Sequence, residues 1–337
     1  MNKIELRKNA FILANQEGCE KKAKYTECSP IYIASTSNVK DTMALYGDAK
    51  KVLAVGSTGA HGFEALLNGA VKVDMFDVNE LQKVFYNLMK TGIMYLDYEE
   101  FIKHFTWKEQ KARFTKVDIG DLLSNEMYDK LVYHLDEDTE YVLSPLYDYF
   151  YSPDLIISKL FRFEHPVQTD YLKRFVSLYN EEEFYKLKNM LLNGADINYH
   201  IASLTDLDKK MTDSYDAIIL DNILQSYKDI PEFDTPYDVN RFIDKRLSKL
   251  LDVGGVIQAA YGYEVGTALF KDEFGISYNS EEFGGLTCNF VKDIEKKESI
   301  LIPLVKKWDT YSCDFIPGVE KFDGRKSDNM VLTYRKK

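Results

Sequence analysis

The chain has 337 residues, 45% of them apolar and 29% charged, and a formal net charge of −11. A chain of this length buries enough surface to fold without staples, and its composition is that of a globular protein, not of a disordered or collagenous one. The negative balance repels a nucleic-acid backbone and an anionic bilayer, so neither is expected as the main partner.

Residues 1–50 are expected to form an N-terminal helical or cap segment. Near its end, "SPIYIASTSNV" is a hydroxyl-rich turn leading into a short helix that Ser37 or Asn38 can cap. The N-terminus holds no apolar run of signal-peptide length, and no segment is apolar for long enough to cross a bilayer, so a reduced, cytoplasmic protein without stable membrane insertion is expected. Cys19, Cys28, Cys288 and Cys313 show no C-x-x-C spacing and the five histidines no i, i+4 pair, so no metal is expected.

The next expected segment, 51–96, opens the sheet. "KVLAV" and "VKVDMFDV" read as buried strands joined by the glycine turn "GSTGAHG" and the short helix "FEALLNG", which Gly69 ends. After Asp77, residues Leu81, Val84, Phe85, Leu88 and Met89 share one helical face, as a crossover helix on a parallel sheet requires, with a local bend expected at Gly92. Residues 97–190 are helical in pattern and rich in aromatics, and read as an insertion forming a lid or acceptor region. The sheet resumes in 191–337 at 197–203, 215–223 and 254–263, with a closing strand at "DNMVLTYRKK". The expected class is α/β, a Rossmann-like, mostly parallel sheet with a large helical insertion.

A strand, a glycine turn, a helix and a second strand ending in an acid form the layout that binds an adenosine. The glycines admit the backbone to the ligand, and the acid accepts from the ribose hydroxyls. Gly56, Ser57, Thr58, Gly59 and His61 supply the turn, and Asp77 stands at the acid's position. NAD(P) and S-adenosylmethionine share this layout. Against NAD(P), only six residues separate Gly62 from Gly69, and the Y-x-x-x-K pairs of the short-chain reductases occur only at Tyr46 with Lys50 and Tyr86 with Lys90, both wrongly placed. "DSYDAIILDNILQSY" followed by "LLDVGGVIQAAY" favours S-adenosylmethionine, because it is similar to the fourth and fifth strands of Rossmann-like methyltransferases, where an acid or amide, here Asp221 or Asn222, ends the fourth strand. In that register Ser203 and Thr205 follow the third strand, at the adenine position.

With "SPIYIASTSNV", "KVLAVGSTGAHGFEALLNGAVKVDMFDVNELQ" and "YLDYEEFIKHF" in view, the chain resembles the S-adenosylmethionine-dependent aminocarboxypropyltransferases related to the first enzyme of betaine-lipid synthesis. The resemblance covers about a quarter of the chain. It implies donor contacts at Thr36, Asn38, Asn79 and Gln82 beside the turn residues and Asp77. Two departures stand out: Ala60 and His61 occupy positions where these relatives have an acid and an amide, and Ser37 one where an acid is common. The implied activity is transfer of the aminocarboxypropyl group to a small or lipid-like acceptor, with Asp221, Asn222 and Tyr32 as candidates to orient it. The alternatives are a small-molecule methyltransferase and a non-catalytic binder of S-adenosylmethionine or a nucleotide. The oligomeric state is not legible.

Overall fold

The structure is a computed structural model that describes residues 1–16, 29–35, 37–106, 120–162, 169–224, 230–234, 236–261, 308–320 and 326–337. In chain order its elements are α1 (Lys3–Ala14), β1 (Ile31–Tyr32), α2 (Val39–Ala44), β2 (Lys51–Val55), α3 (Ala60–Leu67), β3 (Lys72–Asp77), α4 (Glu80–Tyr95), α5 (Tyr98–Phe105), α6 (Asn125–Leu131), α7 (Glu137–Tyr149), α8 (Ser152–Ile157), β4 (Phe161–Arg162), α9 (Thr169–Phe175), α10 (Glu181–Leu192), β5 (Asp196–Ile201), α11 (Leu207–Lys210), β6 (Tyr215–Ile219), α12 (Pro236–Lys245), β7 (Leu251–Tyr261), β8 (Trp308–Glu320) and β9 (Lys326–Lys336).

Among the described residues, β5-β3-β2-β6-β7-β9-β8 form a mostly parallel seven-stranded sheet, and β1 pairs with β4 in a separate two-stranded one. β2 runs parallel to β6 and β6 to β7, whereas β9 is antiparallel to both β7 and β8. The fold is therefore α/β and Rossmann-like, with the helices α5 to α10 between β3 and β5 forming the expected insertion. The order reverses between β2 and β6, the topological switch point outside whose carboxyl ends such sheets bind ligands.

The chain divides into two compact units. The first comprises Met1–Ser35, Gly56–Leu67 and Phe76–Ile201; the second Thr36–Val55, Asn68–Met75 and Ala202–Lys337. In the first, the apolar face expected on α4 is buried at Leu81, Val84, Phe85, Leu88 and Met89, and Asp97 starts α5 with a reciprocal capping box to Glu100. In the second, the core strands carry Val52, Leu53 and Ala54 on β2, Ala217, Ile218 and Ile219 on β6, and Ile257 and Ala259 on β7, the continuous apolar runs of strands covered on both faces.

Four expectations are corrected, the bend at Gly92 and three strand spans. Gly92 does not bend α4, which runs unbroken from Glu80 to Tyr95; the glycine instead admits the Phe105 ring, whose Cε2 lies 2.7 Å from where a Cβ would stand. β6 stops at Ile219, short of 223, because Asp221 takes a left-handed φ of 48°. β8 carries Pro317, which argues against a central strand, but it lies at the sheet edge, where a missing backbone donor is tolerated. The expected strand spans 197–203 and 254–263 shift to Asp196–Ile201 and Leu251–Tyr261.

Gly92→Ala sets a helix-propensity gain of up to about 1 kcal/mol against overpacking that typically costs about 1–3 kcal/mol. Urea unfolding is expected to show a net loss of stability, because the Phe105 ring is buried and cannot swing away.

Candidate functional site

The candidate site lies within the first unit, at the turn that opens α3. Gly56 N–H donates to the Phe76 carbonyl at 2.7 Å, Gly59 N–H to the Gly56 carbonyl at 2.7 Å, and Phe63 N–H to the Gly59 carbonyl at 3.0 Å. Between them Ser57 holds a φ of 40° and Gly59 one of 89°. A non-glycine residue in this region is strained by about 1–3 kcal/mol unless its surroundings hold it. What holds Ser57 is Asp77, whose Oδ2 accepts from the Ser57 N–H at 3.0 Å. The other oxygen accepts from Asn79 N–H at 2.9 Å. Burial nonetheless outweighs these donors and holds the Asp77 carboxyl above the usual aspartate range.

Two tyrosines complete the floor of the turn. The Tyr199 hydroxyl, from β5, donates to the Ser57 carbonyl at 3.0 Å. Burial, followed by the Asp77 charge, pushes this phenol well above its ordinary pKa, so it is protonated. Its ring lies 4.9 Å from that of Tyr86, centroid to centroid, and Tyr86 stacks on Phe63 at 5.6 Å. A Cβ on Gly56 would stand 2.5 Å from Tyr199 Cζ, and one on Gly59 2.5 Å from Tyr86 Cδ2. The turn glycines are thus required by the chain's own aromatic rings, whatever ligand they admit. In the sequence Tyr86 stands out only as half of a misplaced Y-x-x-x-K pair, and the only signal for Tyr199 is its position between Ile197 and Ile201 on alternating sites of β5.

The remaining candidates in this unit are placed by hydrogen bonds to the main chain. Asn79 caps α4 and exchanges bonds with Ser29, whose N–H donates to Oδ1 at 3.2 Å while Nδ2 donates to its carbonyl at 3.0 Å. One turn later Gln82 does the same to Tyr32, both bonds measuring 2.8 Å. Both amides act as short pieces of strand pairing and dock residues 29–32 against α4. Thr58, Ala60 and His61 are buried and Tyr32 is half-buried.

The second unit holds the other candidates. Asp221 is buried, accepts a 2.7 Å hydrogen bond from Ser37 Oγ, and has both main-chain groups tied to β7: its N–H donates to Gln258 Oε1 at 2.9 Å, and its carbonyl accepts from Ala260 at 2.7 Å. Asn222 follows it, half-buried. Asn38 caps α2 and donates to the Pro317 carbonyl at 2.8 Å. Ser203 Oγ donates to Asp206 at 3.0 Å and Thr205 Oγ1 to Glu232 at 2.7 Å, so both belong to a local network that Arg246 closes on the Thr205 carbonyl. Thr36 lies outside the described residues. Among the described residues no cluster of three His, Cys, Asp or Glu is placed to hold a metal ion, and no helix is long and apolar enough to cross a membrane.

No family model matches the chain, and no curated protein matches it in sequence. Among solved structures, the chain is similar to the N-methyltransferase NodS of Bradyrhizobium japonicum in complex with S-adenosyl-L-homocysteine, at 8% identity and a TM-score of 0.36 over 89% of this chain and 83% of that one. A structure described as the conversion of a disulfide bond into a thioacetal group during echinomycin biosynthesis aligns at 10% identity and a TM-score of 0.38, over 93% and 88%. SMU.1697c of Streptococcus mutans, described as a putative methyltransferase in complex with SAH, aligns at 11% and 0.31, over 88% and 98%. At these values the likeness is one of general outline, and the fold rests on the strand order itself.

Gly56→Ala is expected to cost about 1–3 kcal/mol of stability in urea unfolding through overpacking against Tyr199. The same substitution in a Tyr199→Leu background is expected to cost measurably less, because the ring end it strikes is gone. Equal costs in the two backgrounds would show that Tyr199 is not what requires the glycine.

Proposed function

We propose that the protein is an S-adenosylmethionine-dependent transferase that moves the aminocarboxypropyl group to a small or lipid-like acceptor. The observation that carries the donor class is the half-buried Asp77 carboxylate at the end of β3, tied to a left-handed glycine turn in a sheet whose order reverses at β2 and β6. An acid so placed accepts from the hydroxyls of a ribose. The antiparallel β9 between β7 and β8 departs from the 3-2-1-4-5-6 order of dinucleotide-binding sheets and agrees with the methyltransferase-type sheet that the sequence resemblance implies.

In this reading Asp77 takes the ribose, and residues 56–59 with His61 bind the methionine end. Asn79 and Gln82 support that site by docking residues 29–32. Ser203 and Thr205 retain the adenine-side roles implied by the sequence register, and Asn38 the donor contact implied by the resemblance. Asp221, Asn222 and Tyr32 orient the acceptor. A sulfonium needs little activation: the acceptor's lone pair attacks a carbon bonded to sulfur, the carbon–sulfur bond breaks, and its electron pair stays on a neutral thioether. Which carbon is attacked depends on where the acceptor is held, so positioning supplies the catalysis, and a base is needed only for a nucleophile that must lose a proton. The preference for aminocarboxypropyl over methyl transfer rests on the sequence resemblance. A second reading, an adenosyl-binding protein without turnover, draws on Ala60, which is buried where an acid would face the methionine ammonium.

Calorimetric titration is expected to show binding of S-adenosylmethionine, S-adenosylhomocysteine and methylthioadenosine but not of NAD or NADP; binding of a dinucleotide alone would overturn the donor assignment. Methylthioadenosine as product identifies aminocarboxypropyl transfer, whereas S-adenosylhomocysteine identifies methyl transfer. Asp77→Ala is expected to weaken donor binding by the worth of at least one charge-assisted hydrogen bond, about 1.5–3 kcal/mol. Affinity is also expected to fall on acidification, starting at a higher pH than an ordinary aspartate would give. The folded pKa of Asp77 is raised, and protonation removes the charge that accepts from the ribose.

A further inference from the structure

Helices α1 and α7 of the first unit lie side by side and run in the same direction. Lys3 Nζ donates to Glu137 Oε1 at 2.7 Å, the Arg7 guanidinium sits 4.8 Å from the centre of the Tyr141 ring, and the Phe11 ring stands 5.1 Å from Tyr149 and 5.8 Å from Phe150. The Lys159 N–H donates to the Gln16 carbonyl at 2.9 Å, which brings the chain after α8 to the end of α1. Around this join Ile4, Ile12, Tyr149, Tyr151 and Ile157 are each between 46% and 72% exposed. A single exposed apolar side chain is ordinary, whereas a group of them on adjoining helices marks a contact surface, and tyrosine is enriched in such surfaces.

The charges beside the patch select its occupant. On the α1 side Lys8 stands between Ile4 and Ile12 on one helical face, four residues from each. On the other side Asp148 and Asp154 flank Tyr149 and Tyr151. All three charges are exposed, and none has an ion-pair partner among the described residues. A bare cation on one edge and bare acids on the other make the patch complementary to itself. A two-fold contact meets this condition, because residue i of one copy touches residue j of the other and j touches i.

We propose that two copies of this chain associate through this patch, with α1 of each against the α7–α8 end of the other. Lys8 then faces Asp148 and Asp154 twice, and the exposed isoleucines and tyrosines are buried between the copies. The inference goes beyond the adenosyl-donor reading and does not depend on it. An anionic bilayer fits the patch less well, since the two acids would face charge of their own sign.

The test is sedimentation equilibrium at low ionic strength on the wild type, Lys8→Glu, the pair Asp148→Lys with Asp154→Lys, and the triple variant that joins them. The wild type is expected at twice the chain mass. Lys8→Glu and the Asp pair are each expected to raise the dissociation constant about tenfold or more, because every altered contact occurs twice. The triple variant exchanges the two signs and is expected to dimerise again, which a variant that had merely lost its fold would not do. A dimer indifferent to Lys8→Glu and to the Asp pair overturns the placement of the interface. Loss in both without recovery in the triple variant overturns the pairing of these charges across the two-fold contact. A monomeric wild type overturns the proposal altogether, and binding of that monomer to phosphatidylglycerol vesicles would assign the patch to a bilayer instead.

Discussion

The carboxylate of Asp77 is the joint on which the first unit is assembled. One oxygen holds Ser57 in a left-handed conformation, and the other takes the N–H of Asn79, the cap of α4. The same few residues then reach further. Asn79 and Gln82, on one face of the first turn of α4, clasp the main chain at Ser29 and Tyr32, and Tyr32 pairs through β1 with β4 of the insertion. Removing the carboxyl group of Asp77 would leave the Ser57 and Asn79 amides without this acceptor, a cost of about 1–3 kcal/mol for each that is left unsatisfied.

Asp221 solves a similar local problem within the second unit by different means. It too follows a strand and has a positive φ, but the side chain of Gln258 accepts its N–H, Ala260 donates to its carbonyl, and its carboxylate accepts from Ser37. Strain of this kind persists only where the surroundings over-determine it, and it clusters at functional positions. Ser57 and Asp221 each follow the end of the preceding strand, β2 and β6, by two residues.

The glycine turn shows why a motif is read more easily than its cause. A strand running into G-x-x-G, followed one strand later by an acid, is visible in sequence because each element is local. That Gly56 and Gly59 lie against Tyr199 and Tyr86 is not, since Tyr199 is 143 residues away from Gly56 along the chain and arrives only when β5 joins the sheet. Gln82 was legible only as a member of the D-x-N-x-x-Q pattern; its two bonds to Tyr32 depend on residues fifty positions upstream. Ser203 and Thr205 were legible as the end of a strand, whereas their ties to Asp206 and Glu232 depend on how the following turn closes.

Hydrophobic periodicity and turn chemistry act over a few residues, so the sequence by itself determined the α/β class, the strands around the turn, the apolar face of α4, the helical insertion and the end of α3 at Gly69. The strand order, the edge position that tolerates Pro317, the packing role of Gly92 and the tie of Asp77 to Ser57 were decided only by the tertiary structure. Each of these depends on which distant segment occupies the space beside a residue, and sequence spacing carries no information about that neighbour until the sheet is assembled.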